Sequence, residues 1–186
     1  MSESSRVVIT GLGAVTPLGN EVRSTWEAMK SGHSGAGPIT RFEHTEEFPT
    51  RIACEIKDFD PLSFLEKKEA RRFDRFTQYG IKSADEAVND AGIQQDSSEI
   101  NPERFGVIFG SGIGGITTLE TQHDVLREKG PRAVSPFFIP MFIPDIAAGL
   151  ISIRCGAKGP NYATVSACAS SAHAIVDAYR YIKQGE

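Results

Sequence analysis

The 186-residue chain predicts a layered α/β domain built on a mostly parallel sheet. Three observations carry that prediction. Short strand-like segments alternate with helix-like segments along the whole length. The helix-like segments space their apolar residues three and four apart, the period of one helical face. Glycine-rich turns come after the strand-like segments, where a chain leaving a strand must bend sharply.

Val7-Val8-Ile9-Thr10 is the first predicted strand, apolar enough for burial and closed by Gly11-Leu12-Gly13. Asn20 is placed to cap a helix with apolar positions Val22, Trp26 and Met29, stopped at Gly32. Residues 33–50, rich in Gly, Pro, Thr and charge, read as surface loop, and residues 51–56 as an edge strand. Asp60-Pro61 sets a capping residue before a first-turn proline and so starts another helix. Over residues 74–91 the spacing predicts a longer helix. Phe76, Gly80, Ala84, Ala87, Val88 and Ala91 share one face of it, and Gly92 is its stop. Residues 104–109 are the next strand, 110–115 its turn, 117–128 a helix and 129–140 an extended loop. Pro144 begins a helix through Ile146, Ala147, Leu150 and Ile153, ended by Cys155-Gly156. Residues 162–165 form a last short strand. A helix comes next, with Ala172, Ile175, Val176, Tyr179 and Ile182 along one face. No repeat, low-complexity tract or linker intervenes, so residues 1–186 read as one unit.

Composition excludes several function classes. At 40% hydrophobic and 24% charged residues the chain can build an ordinary core. A net charge of −4 leaves no overall basic footprint for nucleic acid. The polar start, Met1-Ser2-Glu3-Ser4-Ser5-Arg6, lacks the apolar core of a secretion signal, and no run approaches bilayer length. Three cysteines, Cys54, Cys155 and Cys168, form no C-x-x-C pair. That argues against a disulfide framework or zinc site and fits a cytoplasmic protein.

Thr164-Val165-Ser166-Ala167-Cys168-Ala169-Ser170-Ser171 carries most of the chemical information. Cys168 falls at the predicted strand-to-helix turn. Unpaired N–H groups at a helix N-terminus favour an anion, which suits a thiolate nucleophile. The small neighbours Ala167, Ala169 and Ser170 leave room for a substrate carbonyl. The alternative is a buried structural cysteine.

Other motifs carry less. Gly110-Ser111-Gly112-Ile113-Gly114-Gly115 matches G-x-G-x-x-G after a strand, but no acidic residue ends a second strand about 20 residues on. A tight bend with close backbone packing is the preferred reading. His33 and His44 lie in loop, and His123 on a helix as a surface or boundary residue. His173, five residues after Cys168, is more than one helical turn along and reads as packing or surface. None of the four is spaced as a metal site. Lys67-Lys68-Glu69-Ala70-Arg71-Arg72 is a local basic cluster, of the kind that usually forms a solvated helix face.

The cysteine octet resembles the active-site motif of the elongating β-ketoacyl-acyl-carrier-protein synthases, condensing enzymes of fatty-acid synthesis. The likeness extends through residues 7–13, Thr16-Pro17-Leu18-Gly19, Arg72-Phe73-Asp74, Gln78-Tyr79-Gly80, residues 110–115, residues 135–140 and Gly159-Pro160-Asn161. Within that family the chain looks most like the synthase II branch. The resemblance implies that Cys168 accepts the acyl group and that its N–H forms part of an oxyanion hole. It makes Ile113 the gate of the acyl pocket, and Phe138 an aromatic that a partner subunit contributes to the pocket floor. Lys68, Arg71, Arg72 and Arg132 fall where such enzymes dock an acidic acyl-carrier protein. Ala133 stands where some relatives have another basic residue.

The implied fold is thiolase-like, two similar α/β halves stacked as five alternating layers. Residues 1–186 correspond to the first half and the start of the nucleophile helix region. The family's two catalytic histidines, a lysine and a Gly-Phe-Gly loop are expected beyond Glu186, so the 186 residues alone are expected not to condense. No cofactor or metal is required. A homodimer is expected, joined through residues 161–165. A non-catalytic carrier- or partner-binding fragment and another thiolase-fold enzyme remain open as alternatives.

Overall fold

Backbone pairing places a short parallel ladder at the centre of the molecule. The computed structural model describes residues 6–94 and 100–186; residues 1–5 lie outside it. In chain order come α1 (Val22–Lys30), β1 (Gly37–Pro38), β2 (Ile52–Ala53), α2 (Lys67–Ala70) and α3 (Arg75–Asp90). After them come β3 (Val107–Gly110), α4 (Ile116–Lys129), α5 (Phe138–Phe142), α6 (Ile146–Cys155), β4 (Asn161–Thr164) and α7 (Ser170–Gln184). β3 and β4 pair in parallel, from Val107 opposite Asn161 to Gly110 opposite Thr164. β1 and β2 form a separate two-residue antiparallel pair.

Side chains alternate across β3, as the strand period requires. Val107 and Phe109 join a core around Ile81 of α3, Ile151 of α6 and Leu65, which precedes α2. Ile108 lines a crevice with Ala178, Tyr181 and Ile182 of α7. The ladder is thus covered by helices on both faces, an α/β/α arrangement. Arg154 of α6 reaches back to Asp85 of α3 (2.6 Å) and to the Phe64 carbonyl (3.0 Å), fastening these two helices.

One carboxylate caps two helices. Asp74 is buried and accepts from Phe76 N (3.3 Å) at the start of α3. Its other oxygen accepts from Thr118 N (3.0 Å) and Thr118 Oγ1 (2.5 Å) at the start of α4. Helix starts leave N–H groups without intrahelical partners, and a carboxylate answers both their hydrogen-bonding need and their partial positive charge. The N-cap position of α4 is Gly115, which has no side chain to cap with.

Several predicted elements are corrected. Residues 7–10 form no strand; Ile9 is 82% exposed, and no ladder partner exists for it among the described residues. An apolar, β-branched run favours extended backbone, but a strand needs a neighbour. The next residues are held by α3 instead: Leu12 N donates to Asp90 and Ala14 N to Glu86. Asn20 does not cap α1; it donates to the Lys57 and Asp58 carbonyls, and Glu21 stands at the cap position. Asp60 caps a single 3-10 turn (Pro61–Ser63) rather than a longer helix. Residues 102–104 are a 3-10 turn, so β3 starts later than expected. The expected extended loop at 129–140 contains the 3-10 turn Pro131–Ala133 and the start of α5. Among the described residues no helix is long and apolar enough to cross a membrane.

Candidate active site

β4 delivers the chain to a sharp turn before α7. Val165 and Ser166 leave the strand, the 3-10 turn Ala167–Ala169 comes next, and α7 begins at Ser170. Ala167 has φ 51°, the left-handed region that a side chain with a Cβ rarely adopts. Such a strained residue persists only where its surroundings hold it. Cys168 is the next residue, and it is exposed. Its thiol is therefore open to approach from outside the turn. Cys155 shows the contrast: it is half-buried, and burial pushes its thiol up.

The turn is tied from several sides. Ser166 N donates to Ser170 Oγ (2.9 Å), Ser170 Oγ donates to the Ala167 carbonyl (2.8 Å), and Thr164 Oγ1 donates to the Ser170 carbonyl (2.8 Å). Ser170 is only 2% exposed. Ser166 Oγ also lies 2.6 Å from His173 Nδ1. Of the two places expected for His173, packing or surface, the structure shows surface, and the ring reaches the turn by way of Ser166.

The glycine-rich loop after β3 lies directly beneath this turn. A Cβ at Gly110 would stand 2.5 Å from Ser171 N and 2.6 Å from Ser170 C, so only glycine fits there. A Cβ at Gly112 would lie 3.5 Å from Ala167. Ser111 N extends the ladder by donating to the Thr164 carbonyl (3.2 Å), and Gly114 N donates to Ser111 Oγ (3.0 Å). The bland reading of the glycine motif therefore holds: it is a close-packed bend supporting the Cys168 turn.

Ile113 sits in that loop, 61% exposed. Gly115 N donates to the Phe142 carbonyl (2.9 Å), which brings the end of α5 against the same loop. Phe138 opens α5 and stacks on Phe142, with ring centroids 5.8 Å apart. Loop contacts thus link the neighbourhoods of Cys168, Ile113 and Phe138.

Lys68, Arg71, Arg72 and Arg132 are all exposed, and none forms an ion pair with a described residue. The Arg72 guanidinium lies 4.1 Å from the centre of the Phe137 ring, a cation–π contact joining the basic cluster to the α5 region. Arg132 lies on the 3-10 turn beyond α4. Sequence reasoning missed the two main-chain hydrogen bonds of the Ser170 hydroxyl, the His173–Ser166 contact and the double cap at Asp74. Only the last had a signal, a capping residue directly before a helical pattern.

Comparison with known proteins bears on this geometry. A family model described as "Beta-ketoacyl synthase, N-terminal domain" matches residues 4–186. The chain is 52% identical over 186 residues to a 3-oxoacyl-[acyl-carrier-protein] synthase 2 of Staphylococcus aureus (strain COL), covering all of this chain and 44% of that protein. It is 46% identical over 183 residues to the synthase 2 of Synechocystis sp., covering 98% of this chain and 43% of that one. The crystal structure of a β-ketoacyl synthase from Burkholderia phymatum superimposes with a TM-score of 0.81 at 30% identity, over 96% of this chain and 43% of that one. The chain therefore spans less than half the length of the relatives it matches.

Proposed function

The chain belongs to the β-ketoacyl synthase family, and we propose that it serves a 3-oxoacyl-[acyl-carrier-protein] synthase of fatty-acid elongation as the N-terminal, nucleophile-bearing half. The observation that carries this reading is Cys168, exposed on a strained turn between β4 and an amphipathic helix, with a glycine loop packed beneath it. Such turns present a nucleophile while keeping its neighbours small.

In the proposed reaction, Cys168 Sγ attacks the carbonyl carbon of an acyl thioester, and the carrier's thiol leaves. A malonyl thioester on a second carrier then loses carbon dioxide. Its carbanion attacks the acyl carbon, Cys168 departs as a thiolate, and a β-ketoacyl thioester two carbons longer is released. Cys168 N–H is one oxyanion donor. By resemblance, two histidines and a lysine from the second half of the fold assist decarboxylation. Ile113 gates the acyl pocket and Phe138 lines the pocket of a partner subunit. No residue of this chain fits the histidine roles, which keeps a purely carrier-binding role as the second reading.

Lys68, Arg71, Arg72 and Arg132 are proposed to dock the acidic acyl-carrier protein, steering its approach electrostatically. Homodimerisation is proposed through residues 161–165, since β4 pairs only with β3 among the described residues and its second edge is open. Cytoplasmic residence fits three free cysteines.

The test supplies acyl- and malonyl-carrier protein and monitors carbon dioxide and β-ketoacyl product. The 186-residue chain alone is expected to give neither, and the protein that includes the second half is expected to give both. Product formation by that protein with Cys168→Ala would contradict the assignment. Condensation by the 186 residues alone would remove the carrier-binding reading, and a preference for coenzyme A thioesters would point to a different thiolase-fold enzyme.

A further inference from the structure

We propose that Ser170 is a positioning residue for Cys168, a clasp that holds Ala167 in its left-handed conformation; this rests on the reading of Cys168 as the nucleophile. An alanine at φ 51° relaxes to the ordinary region unless its neighbours forbid it. The Ser170 hydroxyl grips the main chain on both sides of Ala167. It accepts from the N–H of Ser166, one residue earlier, at 2.9 Å. It donates to the carbonyl of Ala167 itself, in the peptide that leads to Cys168, at 2.8 Å. Ser170 is only 2% exposed, so its hydroxyl is directed to these two main-chain partners rather than to solvent. The clasp is itself anchored: Thr164 Oγ1 holds the Ser170 carbonyl at 2.8 Å, and the Gly110 backbone lies against Ser170 and Ser171.

Removing the hydroxyl leaves the Ser166 N–H without its partner and frees Ala167 to relax. The peptide linking Ala167 to Cys168 then rotates, and the thiol leaves its place before α7. Ser170→Ala therefore lowers the special reactivity of Cys168 without removing a group that touches substrate. Glycine at 167 adopts φ 51° without strain, so Ala167→Gly makes the clasp dispensable.

The experiment labels the purified protein with a long-chain acyl chloromethyl ketone and reads Cys168 and Cys54 separately by peptide mass spectrometry. Cys54 is exposed and distant in sequence, and serves as the internal standard. We expect fast Cys168 labelling in the parent, a Cys168-to-Cys54 ratio about tenfold lower in Ser170→Ala, and recovery of most of that ratio in Ala167→Gly/Ser170→Ala. A parent that labels Cys168 no faster than Cys54 overturns the nucleophile reading and the clasp with it. A fast parent and an equally fast Ser170→Ala overturn the clasp alone, as does a folded double variant that stays slow. Should Ser170→Ala unfold, shown by Cys155 labelling as fast as Cys54, the double variant decides. Folded and fast it supports the clasp, and unfolded or slow it overturns it.

Discussion

Gly110→Ala is the sharpest perturbation that the geometry offers. The added Cβ would lie 2.5 Å from Ser171 N and 2.6 Å from both Ser170 C and Ser171 Cα. Ordinary contact begins near 3.4 Å, so α7 or β3 must retreat by the difference from 2.5 Å, about 0.9 Å. The atoms in the way are backbone and cannot rotate aside. Nor can β3 move freely, because Phe109 is locked into the core and Ser111 N is bonded to Thr164. Overpacking of this kind costs about 1–3 kcal/mol. The displaced segment is the first turn of α7, which carries the clasp on the Cys168 turn. We expect urea denaturation to show a loss of about 2 kcal/mol, and Cys168 labelling to slow while Cys54 labelling does not. Gly37→Ala, where a Cβ meets nothing within 4 Å, is the control and should change neither. Gly110→Ala with parental stability and parental Cys168 labelling would refute the packing of the glycine loop beneath the turn.

Three more outcomes are expected of the same structure. Asp74→Ala removes the shared cap of α3 and α4 and strands the buried Thr118 hydroxyl, so chemical denaturation should show a loss of about 2–4 kcal/mol; a loss below about 1 kcal/mol would contradict the double cap. The Tyr162 phenol is pushed up to about 12, first by burial and then by the hydrogen bond it donates to Asp177 (3.1 Å). Because the folded state holds this proton more tightly than the unfolded chain, its contribution is complete below pH 10 and fades as pH rises towards 12. Tyrosinate absorbance should show that high-pH phase, and Tyr162→Phe should remove it. Phe137→Ala frees the Arg72 guanidinium from its ring, and Arg72→Ala removes the charge. Carrier-protein association measured by surface plasmon resonance should slow in Arg72→Ala and depend less on salt; an unchanged rate would place docking elsewhere.

The helices were legible where local rules settle the matter. Residues 75–90 carry one apolar face, a capping aspartate before and a glycine after, and the helix lies where that pattern puts it. The turn at Cys168 was legible for a similar reason, as small residues between a strand and an amphipathic helix. Residues 7–10 misled because apolar, β-branched residues report burial without naming a partner strand. Asn20 misled because its amide found two carbonyls 37 and 38 residues away, a tertiary choice that local capping rules cannot see. The clasp was invisible for a subtler reason. Ser170 looked like one more small residue, and only the backbone angle at Ala167 gives its hydroxyl a task.

The most direct test of the central claim is to find the acyl group itself. The protein is incubated with acyl-carrier protein bearing a fatty acyl thioester, digested and mapped by mass spectrometry. The account predicts the acyl mass on the peptide containing Cys168, lost in Cys168→Ala and absent from Cys54 and Cys155. Acylation at Cys54, or equal acylation of Cys54 and Cys168, would contradict it.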